Sequence, residues 1–144
     1  MKTHEGAIYL ISSINKEIDF LFSYLLSNLE ITKMESVYLK LIYHNPGISQ
    51  YEISKETKIE RSLVTKYITN LEDKGLIEKR KIDSRKKGLY LLKDGILAIN
   101  YIDSFLPNIQ DKFKDLFSEN EIEIFLNILK KFKKQLEIIN SKNL

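Results

Sequence analysis

Just after Gly75, a chain patterned almost throughout for helix changes its period. The stretch GLIEKRKIDSRKKGLYLL, residues 75–92, holds two short runs of strand character, LIEKRK and GLYLL, separated by IDSRKK. Asp and Ser favour turns, so the stretch reads as one β-hairpin with its loop at residues 82–87. A single hairpin amid helices cannot build a sheet of its own and must lean on neighbouring helices. That restricts the chain to mostly α folds that carry one small β-wing.

The helices are marked out by scarce breakers, five Gly and two Pro in 144 residues. Across residues 7–29, Ile11, Ile14, Ile18, Leu21, Leu25 and Leu29 recur at spacings of three and four, which predicts a long amphipathic helix with a heptad-like seam. Thr32 and Glu35 in TKME form a capping box that opens a second helix, and NPG at 45–47 closes it. Ser49 and Glu52 in SQYE form another box, for a short helix ending near Thr57. A helix from Arg61 to about Lys74 follows, with Val64, Ile68 and Leu71 inward and Gly75 as its left-handed stop. Residues 94–118 are helical in pattern, and Pro107 either kinks one helix or begins another. Ser118 and Glu121 make a third box, before a helix that buries Phe125, Leu129, Phe132, Leu136 and Ile139.

The order helix, helix, short helix, helix, hairpin, helix, helix is that of a winged helix-turn-helix flanked by long terminal helices. Residues 32–93 form the module, and residues 1–31 and 94–144 supply the flanking helices. The two seams carry more apolar stripe than so small a module can cover, so burial between two chains is expected.

Charge says what the module meets. Residues 61–93 hold ten basic and four acidic residues, a balance of +6, against −3 for the rest of the chain. Lys79–Lys87 alone contains six positive charges and one negative, and all three arginines (Arg61, Arg80, Arg85) fall in the same window. Arginine offers a planar fork to phosphates and guanine edges, so the partner expected is a polyanion, double-stranded DNA. Opposite its apolar side, the fourth helix presents Arg61, Ser62, Thr65, Lys66 and Thr69, suited to the roughly 12 Å major groove. At the hairpin, Lys81, Arg85, Lys86 and Lys87 are placed for phosphates or a narrow minor groove. Asp83 is expected to pair with the Arg85 guanidinium or to accept turn amides, fixing the tip. Ser49 and Gln50, heading the supporting helix, complete the candidate DNA-binding surface. A winged module that docks another protein is the alternative, and it calls for an apolar or acidic face instead.

Other classes find little here. Without cysteine there is no disulfide, thiolate nucleophile or Cys-based zinc site. His4 and His44 are the only histidines and have no metal-ligand spacing, and no phosphate loop or catalytic grouping can be assembled, so neither an enzyme nor a cofactor or metal site is expected. No apolar run approaches the about 18 residues of a membrane span and MKTHEGAIYL lacks a signal-peptide pattern, so a cytoplasmic location is expected.

The segment SQYEISKETKIERSLVTKYITNLEDKGLIEKRKIDSRKKGLYLL resembles the MarR-type winged-helix transcriptional regulators. ERSLVTKYITNLEDKGLIEK is similar to the family's recognition helix and its exit into the wing, and DSRKKGLYLL to its Asp-x-Arg wing and following strand. The resemblance implies a homodimer with interlocked terminal helices, one winged module on each side, binding palindromic operator DNA, commonly as a repressor. It also implies a small effector, often phenolic or anionic, in a crevice near which Tyr38, Tyr43, Tyr51, Tyr67 and Tyr101 fall. The chain departs from the family at Leu91-Leu92, where Leu-Thr is usual, leaving Asp94 to cap the next helix. It departs again at Lys58, where Gly is common, implying strain if that residue is left-handed.

Overall fold

A computed structural model describes residues 3–142 of the chain. These fall into two compact units, one ending at Phe105 and the other beginning at Leu106. The first holds α1 (Thr3–Leu26), α2 (Lys33–His44), α3 (Gln50–Thr57), α4 (Arg61–Asp73), β1 (Ile77–Lys81) and β2 (Lys87–Leu91). α5 (Lys93–Phe113) begins in the first unit and ends in the second, which also holds α6 (Glu119–Ser141).

Local chemistry fixes most boundaries. At Thr32 and at Ser49 both halves of the capping box form, each hydroxyl accepting the N–H three residues on while the glutamate accepts the cap's own N–H. At Ser118 the hydroxyl accepts from Glu121 (3.1 Å), and among the described residues the reciprocal bond is not made, so this third box is half of what its sequence suggests. α4 ends as expected: Gly75 has φ +71°, its N–H bonds Glu72, and the Leu76 N–H bonds Leu71. Those two bonds satisfy carbonyls that the last helical turn leaves open. Lys58 is left-handed (φ 56°), so the strain implied for a non-glycine residue there is present.

Two expectations need correction. The first helix stops at Leu26 rather than Leu29, tightening into a 3-10 turn over Ser27–Leu29 and a left-handed Glu30 (φ 53°). Asp94 is not the cap of α5; it lies inside a helix that starts at Lys93, where its carboxylate meets the positive end of the dipole. Of the two alternatives at Pro107, the single helix holds: α5 runs through it, and the next helix begins at Glu119.

One core welds the first unit together. Tyr38, Leu39 and Ile42 of α2 meet Ile53 of α3 and Val64, Ile68 and Leu71 of α4, with Ile77, Leu89, Ala98 and Ile99 closing the far side. Each fully buried aliphatic side chain contributes about 1.5–3 kcal/mol, so this set outweighs the local cost at Lys58. Tyr38 packs edge-on against Tyr67 (5.4 Å). Its buried hydroxyl makes no hydrogen bond, and the neighbouring Thr57 hydroxyl donates to the Ile53 carbonyl (2.7 Å).

The strands pair antiparallel, from Ile77 opposite Leu91 to Lys81 opposite Lys87. Ile48 adds a single bridge on the outer edge of β2, with Gly47 donating to the Leu89 carbonyl (2.9 Å) and Leu89 to that of Ile48 (2.9 Å). The hairpin is thereby tied to the corner that opens α3.

No residue of α6 is buried within the chain: Phe125 is 52% and Leu136 38% exposed, and Leu129, Phe132 and Ile139 are half-covered. On α1, Ile8, Ile14, Ile18 and Leu21 are likewise exposed. Among the described residues, neither seam is covered by its own compact unit.

Candidate nucleic-acid interface

The apolar side of α4 is fully buried, which turns Arg61, Ser62, Thr65, Lys66 and Thr69 outward, all exposed. The five form one polar strip along the outer side of the helix. The Thr65 hydroxyl donates back to the Arg61 carbonyl (2.8 Å), leaving its oxygen free only to accept. Glu60, at the N-cap of α4, makes no side-chain cap, so Arg61 opens the helix with its first-turn amides uncommitted to a side chain.

Beside α4 lies a concavity of about 750 Å³ between the start of α3 and the wing. Of the residues singled out from sequence, Ser49, Gln50, Arg61, Arg85, Lys86 and Lys87 line it, whereas Ser62, Thr65, Lys66, Thr69, Lys81 and Asp83 lie outside. Lys55, Lys79 and Tyr51 belong to its wall as well and were not among the sequence-derived contacts. The Tyr51 ring carries Lys55 (5.3 Å) and Arg61 (5.8 Å) against its face, and an aromatic four residues ahead of a lysine on one helix was the signal available for that pair. The Gln50 side-chain nitrogen is buried with no hydrogen-bond partner. The Ser49 hydroxyl accepts the Glu52 amide in the capping box (3.1 Å), which leaves its proton to donate elsewhere.

The wing tip is held by its one acid. Asp83 Oδ1 accepts the amides of Arg85 (2.8 Å) and Lys86 (2.7 Å), so of the two expected roles it fills the second. Those two amide bonds hold the Asp83 carboxyl below its usual range. Glu52 is also depressed, chiefly by the Ser49 amide and hydroxyl and then by Lys86, whose ammonium lies 3.5 Å away. The tip of the wing is thereby paired with α3.

Two placements bear on charge. Lys81 and Lys87 face each other across the ladder, and like charges directly opposite destabilise a hairpin unless an anion sits between or beside them. Arg80 does not join the other two arginines. It pairs with Glu78 and stacks on Tyr90 (4.5 Å), lining a separate crevice of about 270 Å³ with Tyr43, Pro46 and Ile96. The tyrosines do not converge either: Tyr38 and Tyr67 pack in the core, Tyr51 faces the concavity, and Tyr101 packs on Phe105 and accepts from Asn28 (2.9 Å). Among the described residues no acidic, His or Cys cluster is arranged to hold a metal, and no helix is long and apolar enough to cross a membrane.

Comparison with known proteins bears on the same module. Residues 31–87 match the model of the MarR family. A putative transcriptional regulatory protein for the hcr operon of Thauera aromatica is 28% identical over 99 residues, 67% of this chain and 60% of the relative. The chain thus spans less than two thirds of that relative's length. Among solved structures, the S. aureus MepR–DNA complex superposes with a TM-score of 0.79 at 26% identity, covering 89% of this chain and 96% of that one. Streptococcus pneumoniae FabT in complex with DNA gives 0.82 at 25% identity, over 95% and 99% of the two chains. Helix, turn, helix and wing follow one another in that order, and the family match lies on those same elements, so residues 31–87 form a winged helix-turn-helix module similar to that of the MarR family.

Proposed function

We propose that this protein is a DNA-binding transcriptional regulator that acts as a homodimer on palindromic operator DNA and represses the genes behind it. The observation that carries the reading is the polar, cationic strip of α4 beside a concavity walled by Arg61, Lys55 and the wing cations. A helix that presents short hydroxyls between a Lys and an Arg suits base edges and phosphates together. The like-charged pair Lys81 and Lys87 gains from a polyanion what it costs the free hairpin. MepR and FabT were both solved with DNA, which supports the assignment.

In this reading residues 32–93 are the DNA-binding module, residues 1–31 and 94–144 supply the dimer contacts, and the protein works in the cytoplasm. Ser62, Thr65, Lys66 and Thr69 read the major groove, and Lys81, Arg85, Lys86 and Lys87 hold the flanking backbone. Release by a small phenolic or anionic effector follows from the family resemblance. Fluorescence anisotropy with the duplex upstream of its own coding sequence, against a scrambled duplex of equal length, tests the assignment. Log affinity should fall against log salt with a slope of about −0.9 for each phosphate neutralised. Arg85→Ala should weaken binding to both duplexes about equally and reduce the salt slope by about 1 for each wing. Its melting temperature should stay put, since the side chain is exposed. A parent that binds both duplexes equally, or neither in dilute buffer, refutes the proposal.

A further inference from the structure

Among the described residues of the first unit, one carboxylate is buried, at the back of the reading helix. Glu35, in the first turn of α2, is 1% exposed. Its Oε2 accepts the Thr32 amide (2.9 Å) and the Lys74 ammonium (3.0 Å), and its Oε1 accepts the Asn70 amide group (3.2 Å). Lys74 closes α4 as its C-cap, and its ammonium donates a second bond to the carbonyl of left-handed Glu30 (2.6 Å). One lysine thus joins the end of α4 to the corner between α1 and α2.

The rest of what holds α4 is apolar. Val64, Ile68 and Leu71 bury their side chains, but such packing is non-directional and allows small slides and rotations. Hydrogen bonds to a buried carboxylate fix direction. Stability alone does not account for the arrangement, because a buried ion pair is often matched or exceeded by an apolar replacement of equal volume. Lever geometry shows what it does provide. From Lys74 to Ser62 is twelve residues, about 18 Å of helix, so a swing of about 10° at the lysine moves Ser62 by about 3 Å. That is a whole hydrogen-bond length. Base-edge contacts do not survive such a shift, whereas phosphate contacts from flexible lysines follow it.

We propose that Glu35 and Lys74 are specificity-determining positioning residues, aiming α4 at base edges while touching no DNA themselves. The inference rests on the DNA-binding reading above and adds to it which residues set discrimination apart from affinity. The test measures three things on Lys74→Met and Glu35→Gln: affinity for the upstream duplex, affinity for the scrambled duplex, and the salt slope of each. Both variants should lose tenfold or more on the upstream duplex, change less than twofold on the scrambled one, and keep the parent's salt slope. Lys74→Arg, which can still donate to both acceptors, should recover most of the loss. Melting curves and hydrogen exchange on the free variants show that the module is folded and that added exchange is confined to the end of α4 and the start of α2. If a folded Lys74→Met discriminates as well as the parent, the inference is wrong. Equal losses on both duplexes with a shallower salt slope would make Lys74 a phosphate contact, which also overturns it. A parent that itself fails to discriminate sinks the DNA-binding reading, and this inference with it.

Discussion

Asp83 shows how a single side chain can oppose its surroundings and still serve them. An acid among six cations weakens their pull on phosphate, yet here its oxygen collects the two amides that close the wing tip. Those amides favour the ionised form, so the carboxyl titrates below its ordinary 3.8 in the folded protein. The sign follows. Its contribution to the folded tip is fully present above the ordinary carboxylate range and is lost as pH falls through the depressed value. Lowering pH from neutral to about 5 should therefore leave the tip unchanged, with loss confined to more acid conditions. In an NMR titration the Arg85 and Lys86 amide shifts should move together with a midpoint below 3.8, and Asp83→Asn should remove the transition while an oxygen still accepts both bonds. A midpoint at or above 3.8 would mean that the amides are not held by the ionised carboxylate.

At the scale of elements, what was legible in sequence is what neighbours along the chain decide. Thr32 and Ser49 each see their partner glutamate three residues on, and Gly75 needs only its own freedom of φ, so those boundaries stand where local chemistry puts them. Contacts between distant segments were not legible. Nothing near Lys74 in sequence points to Glu35 or Glu30, and nothing near Arg80 says that Tyr90 will draw it away from Arg61 and Arg85. Gly95 belongs with these. It sits in the first turn of α5, where helix propensity alone favours Ala by about 1 kcal/mol. A Cβ there would stand 2.1 Å from the Leu76 carbonyl oxygen and 2.8 Å from a Leu91 methyl, so the start of α5 lies directly on the exit from α4. Overpacking against backbone costs about 1–3 kcal/mol or more and outweighs propensity. Gly95→Ala should lower stability by that amount in urea denaturation; a variant as stable as the parent would show that α5 can lift off Leu76 freely.

Each compact unit carries an apolar seam that it leaves open by itself. On α6, Phe125, Leu129, Phe132 and Leu136 share one face, with Lys130, Lys134 and Glu137 behind them. A twofold partner is the economical cover, because each residue buried there counts once per copy. At about 1.5–3 kcal/mol for each large side chain, a handful from each chain reaches micromolar association even after the cost of joining two bodies. Sedimentation should then find about 34 kDa at micromolar concentration, twice the 16.9 kDa of one chain. Phe125→Glu places a charge in the seam and should return the protein to 16.9 kDa while the winged module stays folded, since Phe125 lies in the other compact unit. The consequence for DNA separates a dimer that matters from one that merely forms. Two modules on half-sites about 10 bp apart gain by effective concentration, so the separated variant should lose 10²-fold or more on the full site. It should bind a half-site as the parent's single module does, with about half the parent's full-site salt slope. An unchanged full-site affinity in a monomeric Phe125→Glu would place recognition in one module and leave the apolar seams to some other partner.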